Sequence, residues 1–324
     1  MRAVLCKQLG TPEDLVLEDI ADPVPGPGQV LVRVKAAGLN FFDTLIIQGK
    51  YQYKPDLPFS PAGEFAGIVE RLGPGVDTLK VGDRVMGYLK WGAAREAVVA
   101  DAAMLAKVPE NVPLTEAAGL MVTYGTTVHA FRDRANLQPG ETVAVLGASG
   151  GVGQAAIEIA KVMGARVIAC ASSPEKLAFC KELGADDLVN YETVDLKDEL
   201  RRLTDGRGVD VVYDPVGGDQ CEKAVRAMAW DGRFLVIGFA SGTIPKLPLN
   251  LALLKGCSIV GVFWGEHTKR EPERHAANMA SLLQWCEEGR IKPHIDRTFD
   301  LAEAPKALRL IADRKVKGKV ILTA

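Results

Sequence analysis

Strands alternate with helices from about residue 141 onward, and this alternation restricts the fold more than any other feature of the sequence. The first strand, ETVAVLG, is a nearly continuous apolar run, as expected of a strand that is covered on both faces. Repeated βαβ units with right-handed crossovers form a doubly wound parallel sheet, so we expect an α/β fold with six parallel strands. The other strands are predicted at RVIACA, DDLVNY, VDVVYDPVGG, RFLVIGF and CSIVGVFW, with helices at GQAAIEIAKVMG, PEKLAFCKELG, VDLKDELRRLT and CEKAVRAMAWDG.

A glycine-rich turn, GASGGVG at 147–153, connects the first strand to the first helix. It fits a dinucleotide-binding fingerprint with an alanine in the first glycine slot. Glycine lets the backbone approach a pyrophosphate, and the start of the following helix offers N–H groups to it. Such a turn can also be a plain structural corner, but its place at the first βα junction favours a cofactor site. The predicted contacts are Ala148, Ser149, Gly150, Gly151, Val152 and Gly153.

The two ends of the chain differ from the middle segment in their pattern of apolar and turn-forming residues. Residues 1 to about 120 contain short apolar runs punctuated by glycine and proline, and VLVRVKAAG alternates like a half-buried strand. From about residue 290 the sequence is mixed, with a helix predicted at AEAPKALRLIADR and a closing strand at KVILT. We therefore expect a compact, mainly β domain in front of the α/β domain.

The composition excludes several classes of protein. Of the 324 residues, 48% are hydrophobic and 25% charged, and the net charge of −2 comes without a basic patch, which argues against nucleic acid as a partner. The sequence predicts neither a signal peptide nor a membrane span. Six cysteines form no C-x-x-C pair and no metal-ligand spacing with a histidine, which predicts free thiols. We expect a cytoplasmic protein without a membrane partner.

A series of motifs runs from one end of the chain to the other: AAGLNFFDTLIIQGKY, PAGEFAGIV at 61–69, VGDRV, VTYGTTVHAF, GASGGVG, NYETVD, VVYDPVGG, LVIGFASG and the closing GKVIL. With these motifs in this order, the chain resembles the quinone oxidoreductase family of the medium-chain dehydrogenase/reductase superfamily. The resemblance implies a GroES-like, mainly β substrate domain made from residues 1–121 and 289–324, and a Rossmann domain made from residues 122–288, with the active site in a cleft.

Alcohol dehydrogenases of the same superfamily hold a catalytic zinc through two cysteines and a histidine. Asn40, Gly63 and Val122 stand at those positions here, and residues 80–105 contain no cysteine for a structural zinc site. Zinc needs thiolate or imidazole ligands, so we predict no metal site. Without a Lewis acid, an isolated ketone is a poor acceptor, whereas a quinone spreads the incoming charge through its own π system. These features predict zinc-independent reduction of quinones by NADPH.

Asn40, Tyr51 and Asp43 match the segment that lines the cleft in related enzymes and are the predicted catalytic residues. Asn40 is expected to bond to the acceptor oxygen, and Tyr51 to stack over the nicotinamide or the substrate. As an alternative, Asn40 and Asp43 fit the cap of a helix at FFDTLIIQG. His129, in the helix VTYGTTVHAF, has no metal partner in the sequence and is interpreted as structural.

Further cofactor contacts are expected where strands end, because open α/β sheets bind ligands at their carboxyl edge. The residues at strand ends are Asp214, Val216, Phe239 and Ala240. Those that the resemblance implies are Thr126, Phe263 and Trp264 near the nicotinamide, and Tyr191 and Lys319 near the adenosine phosphate.

The end of the second strand favours NADPH over NADH. It reads Ser172-Ser173 and lacks the acidic residue that binds the ribose hydroxyls in NAD sites. Lys176 follows closely enough to give a positive charge to a 2′-phosphate. A solvated lysine on a helix surface is the alternative interpretation.

The sequence leaves two alternative functions open, and it also predicts an oligomeric state. The scaffold also suits reduction of a 2-alkenal or an enoyl thioester, and a non-enzymatic NADPH-binding role is the second alternative. The strand CSIVGVFW would be the last of its sheet, and proteins rarely leave an apolar edge exposed. We therefore expect a homodimer in which this strand pairs across a two-fold axis, as in relatives.

Overall fold

The computed structural model describes residues 1–324, which form two compact units. One unit contains residues 1–122 and 279–324, and the other contains residues 123–278. The first boundary lies within one residue of the division expected from the sequence. The second lies ten residues earlier, inside a long helix. No helix has the length and apolarity that a membrane span needs.

The strands and helices follow one another in a mixed order along the chain. The strands are β1 Arg2–Leu5, β2 Val16–Asp19, β3 Gln29–Leu39, β4 Glu64–Leu72, β5 Arg84–Tyr88, β6 Ala97–Asp101, β7 Ala106–Lys107, β8 Thr142–Leu146, β9 Arg166–Ala171, β10 Asp187–Asn190, β11 Val209–Asp214, β12 Met228–Val236, β13 Ser258–Gly261, β14 Ile295–Asp300 and β15 Lys319–Thr323. The helices are α1 Phe41–Ile46, α2 Leu114–Ala117, α3 Thr123–Val128, α4 Gly151–Val162, α5 Pro174–Glu182, α6 Leu196–Leu203, α7 Asp219–Arg226, α8 Asn250–Lys255, α9 Trp264–Arg270, α10 Pro272–Glu287 and α11 Ala304–Ala312.

The second unit is built on six parallel strands in the order β10-β9-β8-β11-β12-β13. This is the 3-2-1-4-5-6 strand order of a Rossmann fold, and it confirms the predicted doubly wound sheet. All five side chains of β8 are buried, as its continuous apolar run predicts. The chain reverses its direction of winding at β8 and β11, and ligands bind beside the carboxyl ends of strands at such a point.

The first unit is mainly β and confirms the expected GroES-like architecture. Its sheet has the order β14-β15-β3-β4-β5-β7, and β6 pairs with β3. The closing strand β15 pairs antiparallel with β3, so the end of the chain packs on the strands of the first 100 residues. Side chains of β3, β4 and β15 form the apolar core of this unit together with α11.

Two parts of the sequence-based interpretation are wrong. The segment MAWDG was predicted to end a helix, but α7 ends at Arg226 and the segment begins β12. Pairing decides its structure, because Met228 lies opposite Val209 of β11 across an irregular register. The sixteen-residue helix α10 was not predicted, and neither was β14.

Candidate active site

The glycine-rich turn lies at the carboxyl end of β8 and leads into α4. Gly147 has a φ of 57°, and a Cβ there would lie 2.7 Å from a methyl group of Val216. A Cβ on Gly153 would lie 2.4 Å from the carbonyl oxygen of Gly147, so this glycine lets the helix pack against the turn. Beside Gly150 the space is open, since the nearest atom to a Cβ there is 3.5 Å away. A pyrophosphate fits this backbone, because the N–H groups of the first turn of α4 have no partner within the helix.

The residues predicted to select NADPH lie together after β9. Ser173 caps α5, and its Oγ accepts a hydrogen bond from Lys176 N at 3.3 Å. The ammonium of Lys176 turns back to donate to Ser172 Oγ, also at 3.3 Å. Tyr191 N donates to Ala171 O, the last carbonyl of β9, so the backbone of this tyrosine lies beside the end of the same strand. One positive charge and two hydroxyl groups therefore converge at the end of β9.

On the other side of the winding reversal, the residues that follow β11 and β12 are joined by hydrogen bonds. The carboxylate of Asp214 is buried, and its Oδ1 accepts from Val216 N at 2.8 Å and from the next N–H at 2.9 Å. Burial raises the pKa of Asp214. Ala240 N donates to Pro215 O at 3.0 Å, which places Phe239 and Ala240 beside this turn. Asp214 thus shapes the turn, while Val216 and Phe239 are the more exposed members.

The residues expected near the nicotinamide differ in exposure. Thr126 is half-buried on α3, whereas the neighbouring Thr127 is buried and hydrogen-bonded within the core. Phe263 is half exposed at the start of α9. Trp264 is buried, and its indole lies 3.0 Å from the position of a Cβ on Gly125. The side chains of Thr126 and Phe263 are thus accessible to a ligand, and the side chain of Trp264 belongs to the core.

In the GroES-like unit, a buried ion pair organises the residues around Asn40. Lys319 is 2% exposed, and its Nζ donates to Glu64 Oε1 and Asn40 Oδ1, both at 2.7 Å. Its third acceptor is Leu39 O at 3.0 Å. Asn40 Nδ2 donates to Glu64 Oε1 at 2.9 Å. The other oxygen of Glu64 accepts from Val122 N at 2.8 Å, so Asn40 and Val122 meet at this carboxylate.

This geometry corrects two assignments made from the sequence. Lys319 was expected near the adenosine phosphate, but three acceptors use all of its N–H bonds. Asp43 was predicted to be a catalytic residue, but its side chain is completely buried. Its Oδ2 accepts from Asn40 N at 2.8 Å, so it caps α1 as in the alternative interpretation. Burial raises the pKa of Asp43 to about 8, because the charged form loses its hydration.

Tyr51 lies in a group of aromatic side chains that the sequence analysis did not recognise. Its ring stacks on Phe42 at a centroid distance of 5.5 Å and meets the edge of Tyr53 at the same distance. The ammonium of Lys90 lies 5.4 Å from the ring of Tyr53 and 6.0 Å from that of Trp91. Burial raises the pKa of Tyr51 to about 12, so its hydroxyl keeps the proton at neutral pH. The spacing Y-x-Y and the pair K-W were the only local signals for this group.

Comparison with known proteins agrees with this geometry. The family model for the alcohol dehydrogenase GroES-like domain matches residues 26–110, and that for zinc-binding dehydrogenase matches residues 151–282. Quinone oxidoreductase-like protein 2 of Bos taurus is 43% identical over 99% of this chain and 92% of its own. Human quinone oxidoreductase is 33% identical over 99% of this chain and 97% of its own.

Solved structures give the same result. The Escherichia coli quinone oxidoreductase complexed with NADPH superposes with a TM-score of 0.93 at 28% identity, and the match covers 100% of both chains. The chain therefore belongs to the quinone oxidoreductase family of the medium-chain dehydrogenase/reductase superfamily, a family of NADP(H)-binding oxidoreductases.

Proposed function

We propose that this protein transfers a hydride from NADPH to a quinone without a metal. The observation that carries the proposal is the ion pair between Lys319 and Glu64, which is joined by Asn40. Asn40, Gly63 and Val122 occupy the ligand positions of the catalytic zinc in alcohol dehydrogenases and offer it no thiolate or imidazole. A buried ammonium already supplies the positive charge there, and it would repel a second cation at short range.

The absence of ligands for a Lewis acid restricts the acceptor. A quinone needs no metal to accept a hydride, because the charge spreads over a conjugated ring and two oxygens. Asn40 keeps one N–H beyond the one it gives to Glu64, and this N–H would bond to the oxygen that becomes negative. Tyr51 stays protonated at neutral pH and would serve as a second donor. Its stacked neighbours Phe42 and Tyr53 offer a surface for a flat ring.

The residues of the Rossmann unit would bind NADPH. NADPH, when bound, supplies the hydride from its nicotinamide ring. The turn at 148–153 would bind the pyrophosphate through backbone N–H groups. Ser172, Ser173 and Lys176 would bind the 2′-phosphate, with Tyr191 beside them. The nicotinamide end of the cofactor would contact Thr126 and the chain at Phe263 and Trp264, where α9 begins. The part of the cofactor between the pyrophosphate and the nicotinamide would lie against Val216, Phe239 and Ala240.

We also propose that the protein is a homodimer paired through β13. This edge strand bonds only to β12, and Ile259 on it is 39% exposed. The ring of Trp230 is also largely exposed and lies against Gly256, which precedes the strand. An uncovered apolar edge favours pairing with a second copy. None of the six cysteines forms a disulfide, which suits a reducing compartment, so we propose a cytoplasmic location.

A panel of acceptors tests the proposed reaction. NADPH oxidation is followed with small ortho- and para-quinones, 2-alkenals, an enoyl thioester and simple ketones. We expect turnover with quinones and little or none with ketones. If alkenals or the thioester are reduced faster than every quinone, the alternative on the same scaffold replaces the proposal. If no acceptor is reduced although NADPH binds, a non-enzymatic role replaces it.

A further inference from the structure

Two histidines and an aspartate come together in the Rossmann unit. His129 and Asp133 lie on a π-helical segment that continues α3, and His267 lies on α9. His129 Nδ1 is 2.8 Å from Asp133 Oδ2, and His267 Nε2 is 3.8 Å from the same oxygen. The two imidazole rings are stacked with centroids 3.8 Å apart. One ligand atom from each of the three residues lies within 4.8 Å of the other two.

His267 is the unusual member of this cluster. It is 5% exposed, and neither ring nitrogen has a hydrogen-bond partner. Buried imidazole nitrogens nearly always have a partner, because leaving them unpaired costs free energy. The π-helical segment is a second unusual feature, since such turns occur frequently at functional sites. Both features are explained if a ligand binds between the three side chains.

We propose that His129, Asp133 and His267 bind one divalent transition-metal ion, with zinc as the principal candidate. Two imidazoles and one carboxylate are a donor set that zinc accepts, and a water molecule can take the fourth position. Zinc–ligand distances of about 2.0–2.2 Å require the three ligand atoms to lie within about 4 Å of one another. The three ligand atoms lie within 4.8 Å of one another, so rotation of the side chains on binding would have to bring them slightly closer.

The surroundings of Asp133 suit a metal ligand. Its Oδ2 accepts from Asn278 Nδ2 at 2.8 Å, which is the kind of outer contact that orients a coordinating carboxylate. Arg274 is a nearby cation that would compete, at 3.6 Å from Asp133 Oδ1. Its side chain is 57% exposed and already pairs with Glu271, so it can move away. Glu271 itself lies 3.8 Å from His267 Nδ1 and adds negative charge to the site.

The proposed ion would be structural and separate from the reaction. It would connect the π-helical segment to α9, which begins at Trp264 directly after Phe263. The Asn40 site belongs to the other unit of the chain and remains without metal ligands. No local pattern in the sequence indicates the cluster, because His267 lies 138 positions after His129. His129, which was interpreted as structural for lack of partners, has two of them.

Titration of the full-length protein with zinc tests the inference. The protein is stripped with a chelator, freed of the chelator, and titrated with Zn²⁺ by calorimetry, with Co²⁺ as a spectroscopic substitute. We expect one ion per chain, a tetrahedral Co²⁺ spectrum and a higher Tm. His267→Phe keeps an aromatic ring against His129 and should weaken Zn²⁺ binding by about 100-fold or more. His275→Phe, which changes a neighbouring ring, should change it little.

Several results would overturn the inference. One is a wild-type protein that binds no Zn²⁺, and another is equal binding by the wild type and His267→Phe, which would place the ion elsewhere. If His267→Phe does not fold, Asp133→Asn takes its place and must show the same loss. The readout is metal binding and not turnover, so this result is independent of the proposed reaction.

Discussion

Lys319 and Asp43 show how burial acts on single charged side chains in this protein. Lys319 is surrounded by three acceptors, one of them the carboxylate of Glu64, so its charge is compensated. Asp43 is just as deeply buried but has no salt bridge, and burial raises its pKa. Asp43 therefore holds a proton at neutral pH in the folded state.

Asp43 should therefore make stability depend on pH. In the unfolded chain an aspartate titrates near pH 4, and in the folded state Asp43 titrates near pH 8. Between these values the folded state binds the extra proton, so its contribution to stability is complete below about pH 4 and is lost as pH rises to 8. We expect Asp43→Asn to remove a decline of at most about 1.4 kcal/mol per pH unit, measured by urea unfolding from pH 5 to 8.

A matched control separates this effect from helix capping. Asp14 accepts a hydrogen bond from Thr11 N in the same way as Asp43 does from Asn40 N, but it is exposed. Asp14→Asn therefore measures the effect of losing a capping carboxylate that is exposed. An identical pH profile for wild type and Asp43→Asn would show that Asp43 is ionised in the folded protein.

Lys176 is the second single residue whose role is open to measurement. Its contact with a 2′-phosphate would contribute about 1.5–3 kcal/mol, so Lys176→Ala should weaken NADPH binding about ten-fold or more. NADH lacks this phosphate and should bind as before. Dissociation constants from fluorescence titration decide the matter, with Lys181→Ala, on the same helix, as the control. Equal losses for both cofactors, or a wild-type preference for NADH, would contradict the assignment.

At the scale of elements, the glycine-rich turn combines two requirements. Gly153 is needed for packing, because a Cβ there meets the carbonyl of Gly147 at 2.4 Å. Gly150 has an ordinary extended backbone and open space beside it, so an alanine fits as long as no ligand is bound. The same turn therefore contains one glycine for the fold and one for the ligand.

Two alanine variants should separate these requirements. Gly153→Ala should lower the free energy of unfolding by about 1–3 kcal/mol through overpacking. Gly150→Ala should keep the wild-type stability and lose NADPH affinity, since its methyl group enters the space assigned to the pyrophosphate. Urea unfolding and NADPH titration of both variants provide the measurement. Unchanged NADPH binding by Gly150→Ala would mean that the pyrophosphate lies elsewhere.

Local patterns were sufficient to predict some elements and insufficient for others. The apolar run of β8 and the helical spacing of apolar residues in α11 both result from burial against a core. The structure contains both elements. The start of β12 depends on its pairing with β11, which no local pattern contains. The site residues show the same division. The turn at 147–153 is one contiguous motif, whereas Lys319 meets Glu64 across 255 positions and was misassigned.

At the scale of the whole molecule, the edge strand β13 should determine the assembly. Light scattering at micromolar concentration should give twice the chain mass of 34.7 kDa. Ile259→Lys places a charge on the exposed edge and should shift the protein to monomers. Val81→Lys, at an exposed apolar position in the other unit, should leave the dimer intact. A wild-type monomer would refute the dimer, and a dimer that survives Ile259→Lys would place its interface elsewhere.

The central claim is that NADPH reduces a quinone here without help from a metal. The most direct measurement is stopped-flow oxidation of NADPH by a para-quinone, with protein that has been stripped of metal and kept in chelator. We expect the stripped and untreated proteins to react at the same rate, and neither to oxidise simple alcohols with NADP⁺ at a comparable rate. Loss of the reaction on stripping and its return with added Zn²⁺, seen in both the wild type and His267→Phe, or alcohol oxidation as fast as quinone reduction, would contradict the claim.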